Sequence, residues 1–224
     1  MQAGCSSVGL FGLALLLAGC AARHDSPASL ASWRVEAESP AARVTAAHGT
    51  IDIDTPRGLS LWYLPRLAAP VAIEFEVMAV SEGEPNDQVS DVNAFWMATD
   101  PAAPGESVLA RPRSGAFADY DTLRTYYVGI GGNRNTTTRF RRYVGRAGDR
   151  PLLPGHDLRA PADLLVPNRW MRLRLIADGH RIAVERDGRT LFSLDDPEPY
   201  TRGHFALRTT QSHLRVRALR ITRP

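Results

Sequence analysis

Apolar and polar residues alternate with a period of two along much of this chain, and this pattern constrains the fold more than any other feature. The alternation is clearest in five segments, residues 33–38, 50–55, 72–77, 170–176 and 213–221. Because successive side chains of a β-strand point to opposite faces of a sheet, each segment is expected to be a strand with one buried and one solvated face.

Shorter apolar runs predict further strands, and the turns between them predict how the strands connect. The additional strands are Leu59–Leu64, Val92–Ala98, Arg124–Ile130, Thr138–Val144, Arg181–Arg186, Leu191–Leu194 and His204–Arg208. Asp178-Gly179 and Asp187-Gly188 separate alternating runs, which predicts hairpins because both residue types tolerate positive φ. About a dozen short strands, with no helix of three turns after residue 19, favour an all-β jelly-roll sandwich of two antiparallel sheets.

The N-terminal segment predicts export and a lipid anchor. Leu10–Leu17 is apolar but shorter than the roughly 20 residues that cross a bilayer, as is typical of a signal peptide. Although residues 1–9 lack the usual positive charge, Leu17-Ala18-Gly19-Cys20 resembles the bacterial lipobox, whose Cys accepts a diacylglyceryl group. We therefore expect a lipoprotein signal peptide at 1–19, lipid on Cys20, a tether at 20–31 and one domain at 32–224.

This N-terminus also predicts a compartment. Cleavage would remove Cys5 and lipidation would consume Cys20, so the mature chain would have no cysteine for a disulfide, a thiolate nucleophile or a zinc site. Ala21 follows the lipidated Cys. In bacteria with two membranes Asp at this position retains lipoproteins in the inner membrane, so the resemblance implies the cell envelope, at the outer membrane. The membrane is then a partner through the lipid anchor only, and nucleic acid is not an expected partner.

The basic residues of the chain are of one kind. The net charge is only +3, yet all 27 basic residues are Arg and none is Lys. This bias is typical of a GC-rich genome, and an anion-binding surface is the alternative, since Arg suits planar anions.

Several motifs resemble a known superfamily. Four segments resemble the closing strands of concanavalin-A-like lectin/glucanase jelly rolls: Asn168–Leu175, Ile182–Gly188, Gly203–Thr210 and Leu214–Ile221. Two central segments, Asp91–Asp100 and Tyr126–Tyr143, are similar to an uncharacterised bacterial lipoprotein family of that superfamily, with YesU-like relatives in polysaccharide utilisation. The resemblance covers residues 33–224 and implies a poly- or oligosaccharide partner. It does not imply a reaction, because the superfamily holds lectins, glycosidases and lyases.

The segment Tyr126–Tyr143 is the most unusual part of the chain. If its two strands pair through the turn that contains Asn133, alternation places Arg139, Arg141 and Tyr143 on one face. Such a stripe could clamp a uronate carboxylate through Arg while Tyr and Asn bond sugar hydroxyls. The alternative is that the Arg side chains are merely solvated.

A second strand offers candidate sugar-binding residues. Asp91, Asn93 and Phe95 share one face, and polar groups beside an aromatic ring suit sugar recognition. Trp96 is a further candidate for substrate binding, although its apolar neighbours Val92 and Ala94 favour a place in the core.

Catalysis would need additional groups. Elimination from a uronate requires a base, a cation for the carboxylate and a donor to the leaving oxygen. The candidate catalytic residues are Tyr126, Tyr143, Arg139 and His213. The Glu-x-Asp-x-x-Glu strand motif of retaining glycosidases with this fold does not occur in the sequence. Two carboxylate pairs that share a strand face are expected to be solvated: Asp52 with Asp54, and Glu74 with Glu76.

The sequence leaves two functions open. It favours, by a small margin, an envelope lipoprotein that acts on polysaccharide as a glycoside hydrolase or uronate lyase; the alternative is a non-catalytic glycan-binding lipoprotein. A structural envelope protein without a ligand is a third possibility. No cofactor is expected beyond structural calcium, for which Glu82–Asp87 and Asp195–Glu198 supply oxygen-rich loops. Ordinary exposed loops are the alternative at both places.

Overall fold

The computed structural model describes Met1, Pro27 and residues 29–224 of the chain. Residues 2–19 of the predicted signal peptide, Cys20 and most of the predicted tether lie outside the described residues. Within the described part, no helix combines the length and the apolar composition that a membrane span requires.

The described chain is a sandwich of two antiparallel sheets. Its strands are β1 (Trp33–Ala37), β2 (Arg43–Ala47), β3 (Thr50–Thr55), β4 (Leu59–Tyr63), β5 (Leu67–Ala68), β6 (Val71–Ala79), β7 (Val92–Thr99), β8 (Arg124–Gly131), β9 (Thr137–Val144), β10 (Asp157–Leu158), β11 (Met171–Ala177), β12 (Arg181–Arg186), β13 (Arg189–Asp195), β14 (Arg202–Thr209) and β15 (Ser212–Thr222). Sheet A has the order β1-β4-β14-β7-β8-β9-β10, with β5 paired to β14, and sheet B has the order β13-β12-β11-β6-β15-β3-β2.

Helical structure in the described residues is confined to single turns. Four short 3-10 helices occur at Leu30–Ser32, Val108–Ala110, Phe117–Tyr120 and Pro161–Asp163, and a four-residue helical turn at Gly132–Asn135. The predicted all-β jelly-roll sandwich is confirmed.

The predicted strands are found, and the two Asp-Gly pairs lie in the connections that join β11 to β12 and β12 to β13. At the second pair both residues have positive φ, 51° for Asp187 and 82° for Gly188, which suits a tight hairpin. The sequence did not reveal β2, because this edge strand is mostly exposed and lacks the alternation that marks a buried face.

The main core lies between the sheets, where the inward residues of the alternating strands meet. On sheet B these include Ile51, Phe75 and Leu173, and on sheet A Phe205 and Leu207. The charged partners in the same strands face outward, as the pattern requires.

A second, smaller core lies on the outer face of sheet A. Residues 100–123 form a segment that we call the cover segment. Its side chains Val108, Tyr120 and Leu123 pack on aromatic side chains that project outward from the sheet, including Trp62 and Phe95. The stacked rings of Trp62 and Phe95 are 6.1 Å apart. The cover segment therefore buries part of this face, and the remainder of the face is open.

Glu36 of β1 ties the cover segment to the sheet. Its carboxyl oxygens accept hydrogen bonds from Trp62 Nε1 at 2.9 Å, from the Tyr120 hydroxyl at 2.9 Å and from the Arg113 backbone N–H at 3.0 Å. The side chain is buried, with 4% of the residue exposed. Removing it would take this acceptor from the two buried donors of Trp62 and Tyr120 and from the partly buried N–H of Arg113.

We expect Glu36→Ala to lower the free energy of unfolding by about 3 kcal/mol or more, since each unsatisfied buried donor costs about 1–3 kcal/mol. Urea unfolding followed by tryptophan fluorescence measures this change. The control is Glu74→Ala on the outer face of sheet B, which should cost about 0.5 kcal/mol or less. Equal losses in both variants would contradict the role of Glu36.

Candidate functional site

The part of sheet A that the cover segment leaves open forms a groove of about 650 Å³. This volume is in the range of about 300–1,000 Å³ that is usual for ligand sites. Strands β7, β8 and β9 form the floor, and the walls come from the loop before β7, the turn before β9, and Phe117 and Arg150.

The sheet register explains why the groove is deep at its centre. Asn93 on β7 lies opposite Gly129 on β8, and Gly129 lies opposite Arg139 on β9. A Cβ atom on Gly129 would be 2.4 Å from the Tyr127 hydroxyl and 2.7 Å from Asn93 Oδ1. The missing side chain therefore leaves the space into which these polar atoms project.

Asn93 and Asp91 form the polar end of the floor. The Asn93 amide donates to Asp91 Oδ1 at 3.5 Å, and the Ser90 hydroxyl donates to Asp91 Oδ2 at 2.9 Å. Asn93 is 4% exposed, and its Oδ1 has no hydrogen-bond partner among the described residues. Burial raises the pKa of Asp91 against the opposing effect of these hydrogen bonds and of Arg208. The floor thus offers an unused acceptor beside a carboxyl group that holds a proton more readily than usual.

The guanidinium groups of the groove differ in what they bind. Arg139 makes a bidentate pair with Asp157, at 3.0 Å and 3.1 Å. Arg150 Nε lies 3.6 Å from Asp121 Oδ1. Arg141 donates to the backbone carbonyl of Arg150, and no carboxylate of the described chain lies within ion-pair distance of it. Arg141 is therefore the cation of the floor without a counter-charge.

The turn before β9 has unusual backbone geometry. Asn133, Arg134 and Asn135 have φ values of 53°, 57° and 58°, in the left-handed region. Asn135 fastens the turn, because its side chain accepts from the Leu165 N–H at 2.8 Å and donates to the Leu165 carbonyl at 3.0 Å. Asn tolerates this conformation better than Arg, so Arg134 is the costly residue. Strained residues of this kind tend to occur at functional sites.

We expect Arg134→Gly to raise the free energy of unfolding by about 0.5–1 kcal/mol, because relief of the left-handed strain exceeds the added entropy of the unfolded chain. Arg146→Gly, at an exposed residue without positive φ, is the control and should bring no gain. Urea unfolding compares the two, and destabilisation by Arg134→Gly would argue against strain at this turn.

The structure brings five of the predicted site residues to the groove: Asp91, Asn93, Asn133, Arg139 and Arg141. Their roles stay predictions. The other four, Trp96, Tyr126, Tyr143 and His213, lie elsewhere.

Trp96 and Tyr126 lie on the inner face of sheet A and not in the groove. Trp96 is fully buried, with its ring 5.5 Å from that of Tyr126 and 5.8 Å from that of Phe140. The Tyr126 hydroxyl donates to Asp196 at 2.7 Å and accepts from the Tyr200 N–H at 3.0 Å. Burial, reinforced by Asp196, raises the pKa of Tyr126. The predicted substrate-binding and catalytic roles of these two residues are corrected, since both belong to the core.

Tyr143 is on the groove side of β9 but lies beneath the cover segment. It is fully buried, and its ring packs 5.6 Å from Tyr127 and 6.0 Å from Phe95. Burial raises its pKa to about 12, with Arg150 opposing the shift. A buried phenol of this pKa is not poised as a base near neutral pH, so the predicted catalytic role of Tyr143 is not supported.

His213 lies on the outer face of sheet B, away from the groove. Its ring nitrogens are 3.1 Å from Asp87 Oδ1 and 3.1 Å from Asp52. Burial lowers the pKa of His213, but the bonds and charges of Asp52 and Asp87 outweigh this effect, and the net pKa is raised. Its predicted catalytic role is corrected to that of an ion pair, which fastens the loop before β7 to sheet B.

The raised pKa of His213 predicts a pH dependence of stability. The protonated ring stabilises the folded state, and this contribution is complete below the unfolded pKa of about 6.5 and is lost as pH rises through the higher folded pKa. The unfolding free energy of the wild type should therefore fall relative to His213→Gln as pH rises from 6 to 9. Urea unfolding across this range measures the difference, and parallel pH profiles would contradict the ion pair.

Sequence reasoning did not identify several groove residues. Gly129 could have been found, because alternation along β8 places it with Tyr127 on the face that carries Asn93 of the neighbouring strand. Phe117 and Arg150 come from segments without periodic pattern, so no signal in the sequence marks them.

The two acidic loops use their oxygens internally. Asp87 Oδ2 accepts from the N–H groups of Glu82 at 2.6 Å and Glu84 at 3.2 Å, and Asp196 pairs with Arg142 at 2.7 Å. In the part of the chain that the structure describes, no group of three or more His, Cys, Asp or Glu side chains could hold a metal ion.

Comparison with solved structures defines the class of fold. A Bacillus subtilis protein of unknown function with a galectin-like fold is similar at 13% identity and a TM-score of 0.65, over 88% of this chain and 92% of that chain. The carbohydrate-binding module CBM66 from Bacillus subtilis is similar at 9% identity and a TM-score of 0.56, over 85% and 94%. The exoplasmic/lumenal domain of VIP36, in its Ca²⁺/Man2-bound form, is similar at 12% identity and a TM-score of 0.59, over 89% and 84%. The protein is thus a β-sandwich of galectin-like fold.

The family follows from the sequence. A family model, described as a domain of unknown function (DUF6250), matches residues 53–219, and the chain belongs to this family. No curated protein matches the sequence significantly.

Proposed function

We propose that this protein is a glycan-binding protein of the bacterial envelope and that its groove holds the saccharide. The observation that carries the proposal is the unused hydrogen-bonding capacity of the groove floor. Asn93 Oδ1 has no partner within the described residues, and the Tyr127 hydroxyl and the Arg141 guanidinium line the same cavity. Sugar hydroxyls both donate and accept, so a saccharide can satisfy all three groups.

The similar structures support a saccharide as the ligand. One is described as a carbohydrate-binding module, and another is bound to mannose residues. Their identity to this chain is low, so they share its fold only, and the site is inferred from the residues of the groove itself.

The distribution of ionisable groups favours binding over catalysis. Tyr126, Tyr143 and His213 do not line the groove, so of the four predicted catalytic residues only Arg139 lies there. Hydrolysis of a glycoside usually needs two carboxyl groups, and Asp91 is the one acidic residue among the described groove-lining residues. The non-catalytic alternative is therefore proposed over the hydrolase or lyase that the sequence alone favoured.

The binding proposal is tested by calorimetry with full-length protein in detergent and a panel of neutral and uronate-containing polysaccharides. We expect binding without new fragments in mass spectra. Gly129→Ala should weaken binding about tenfold or more, because the added methyl group displaces Tyr127 and Asn93 from the floor. Asn93→Ala should act in the same direction, and the control Asn86→Ala, which removes an amide bonded to Asp54, should bind normally. Cleaved fragments would replace the binding proposal with an enzyme.

We propose that the lipid on Cys20 attaches the domain to the envelope, at the outer membrane. The lipobox-like segment Leu17-Ala18-Gly19-Cys20 supports this. The folded domain begins a few residues after Cys20, because the indole of Trp33 in β1 donates a hydrogen bond to the Pro27 carbonyl at 2.7 Å.

We expect cells that express the protein to incorporate labelled palmitate into it and to lose this label in Cys20→Ala. Fractionation of the labelled cells should place the wild type with outer membranes. Label that persists in Cys20→Ala would overturn the lipoprotein proposal and leave glycan binding unaffected.

A further inference from the structure

We infer that the groove selects glycans that carry an anionic group and that Arg141 binds this group. The inference rests on the proposed function, because it names the class of glycan for the same groove. The observation behind it is that Arg139 and Arg150 have carboxylates nearby, whereas Arg141 has none within ion-pair distance among the described residues.

The charge of the groove is positive in excess. Among the described lining residues there are four Arg and one acid, Asp91. Arg139 makes a bidentate pair with Asp157, a carboxylate that it shares with Arg159, and Arg150 lies near Asp121. Asp91 supplies the single carboxyl group among these residues, and its burial raises its pKa. Arg141 is therefore left without an anion in the floor, with Arg134 at the rim adding to the positive potential.

Arg141 is held ready for a ligand. One of its N–H groups is used by the Arg150 carbonyl, which fixes the side chain, and a guanidinium has five donors in all. Burial lowers the pKa of Arg141, and the nearby charges of Arg139 and Arg150 act in the same direction. A partly desolvated cation among like charges gains most from an incoming anion. Its planar fork matches the two oxygens of a carboxylate or sulfate.

The opposite side of the groove fits the rest of such a sugar. Asn93 of β7 is in register with Gly129 and Arg139, and Arg141 lies two residues further along β9. Two strand spacings and this offset put the backbones of Asn93 and Arg141 roughly 12 Å apart. A sugar ring lying over Gly129 can donate a hydroxyl to Asn93 Oδ1 while its acidic substituent faces Arg141. The two unsatisfied groups of the floor, an acceptor and a cation, thus match one acidic sugar residue.

The test measures affinity for pairs of glycans that differ only in charge. Full-length protein in detergent is titrated by calorimetry with polygalacturonate, alginate, hyaluronan and chondroitin sulfate, and with their carboxyl-reduced or desulfated forms, beside neutral mannan and β-glucan. We expect at least one anionic glycan to bind about tenfold or more tightly than its neutralised form. Loss on carboxyl reduction identifies a uronate, and loss on desulfation identifies a sulfate ester.

Variants assign the effect to Arg141. Arg141→Gln should remove the preference for the charged form, and Arg141→Lys, which keeps the charge without the fork, should retain part of it. The matched control Arg172→Gln removes one charge from the outer face of sheet B and should bind as the wild type. Circular dichroism checks that each variant is folded.

The outcomes separate this inference from the proposed function. If glycans bind but the charged and neutralised forms bind equally, or if Arg141→Gln keeps the preference, the anionic specificity is overturned and glycan binding stands. If no glycan of either kind binds, both are overturned.

Discussion

The site depends on the hydrogen bonds that Glu36 accepts beneath the cover segment. They join a strand at the edge of sheet A to a segment that has no regular structure of its own beyond single turns. Arg113 also braces the cover segment internally, because its guanidinium pairs at 2.9 Å with Asp100, the first residue of the same segment, and both side chains are buried. With these contacts the cover segment hides the outward aromatic rings of the sheet, and the groove is the part of the face that it leaves open. The shape of the site therefore follows from a polar contact outside it.

Covering both faces of the middle strands also explains where prediction from the sequence succeeded and failed. Alternation placed Asn93, Arg139 and Arg141 correctly, because each neighbours apolar residues that face the main core. Alternation could not show which of Tyr126 and Tyr127 faces the main core, because the cover segment makes both faces of β8 apolar. Trp96 poses the same ambiguity on β7. The existence of the faces can be predicted from the sequence, whereas the identity of the inner face depends on tertiary packing.

Sheet membership was the second limit. His213 lies in a strand whose alternation is clear, yet nothing in that pattern tells which of the two sheets the strand joins. The partner of Arg139 was hidden for a similar reason, because Asp157 belongs to a two-residue strand that has no detectable period. Local pattern thus predicts elements and faces, while contacts between residues distant in the sequence decide which charges are neutralised.

Those distant contacts change the interpretation of the Arg-only composition. Several Arg residues make contacts that Lys could not make, because these contacts require a planar group with several donors. Arg208 is 2% exposed, donates to Ser60 at 3.1 Å and to the Gly115 carbonyl at 2.7 Å, and lies 5.0 Å from the centre of the Phe117 ring. It is in register with Asn93 on the neighbouring strand and lies under the cover segment. Genome composition can supply Arg at every basic position, but it does not account for paired cations beside one that is left free. The fold supplies carboxylates for Arg139 and Arg150 but none for Arg141 in the groove floor. An anionic ligand would supply the missing counter-charge.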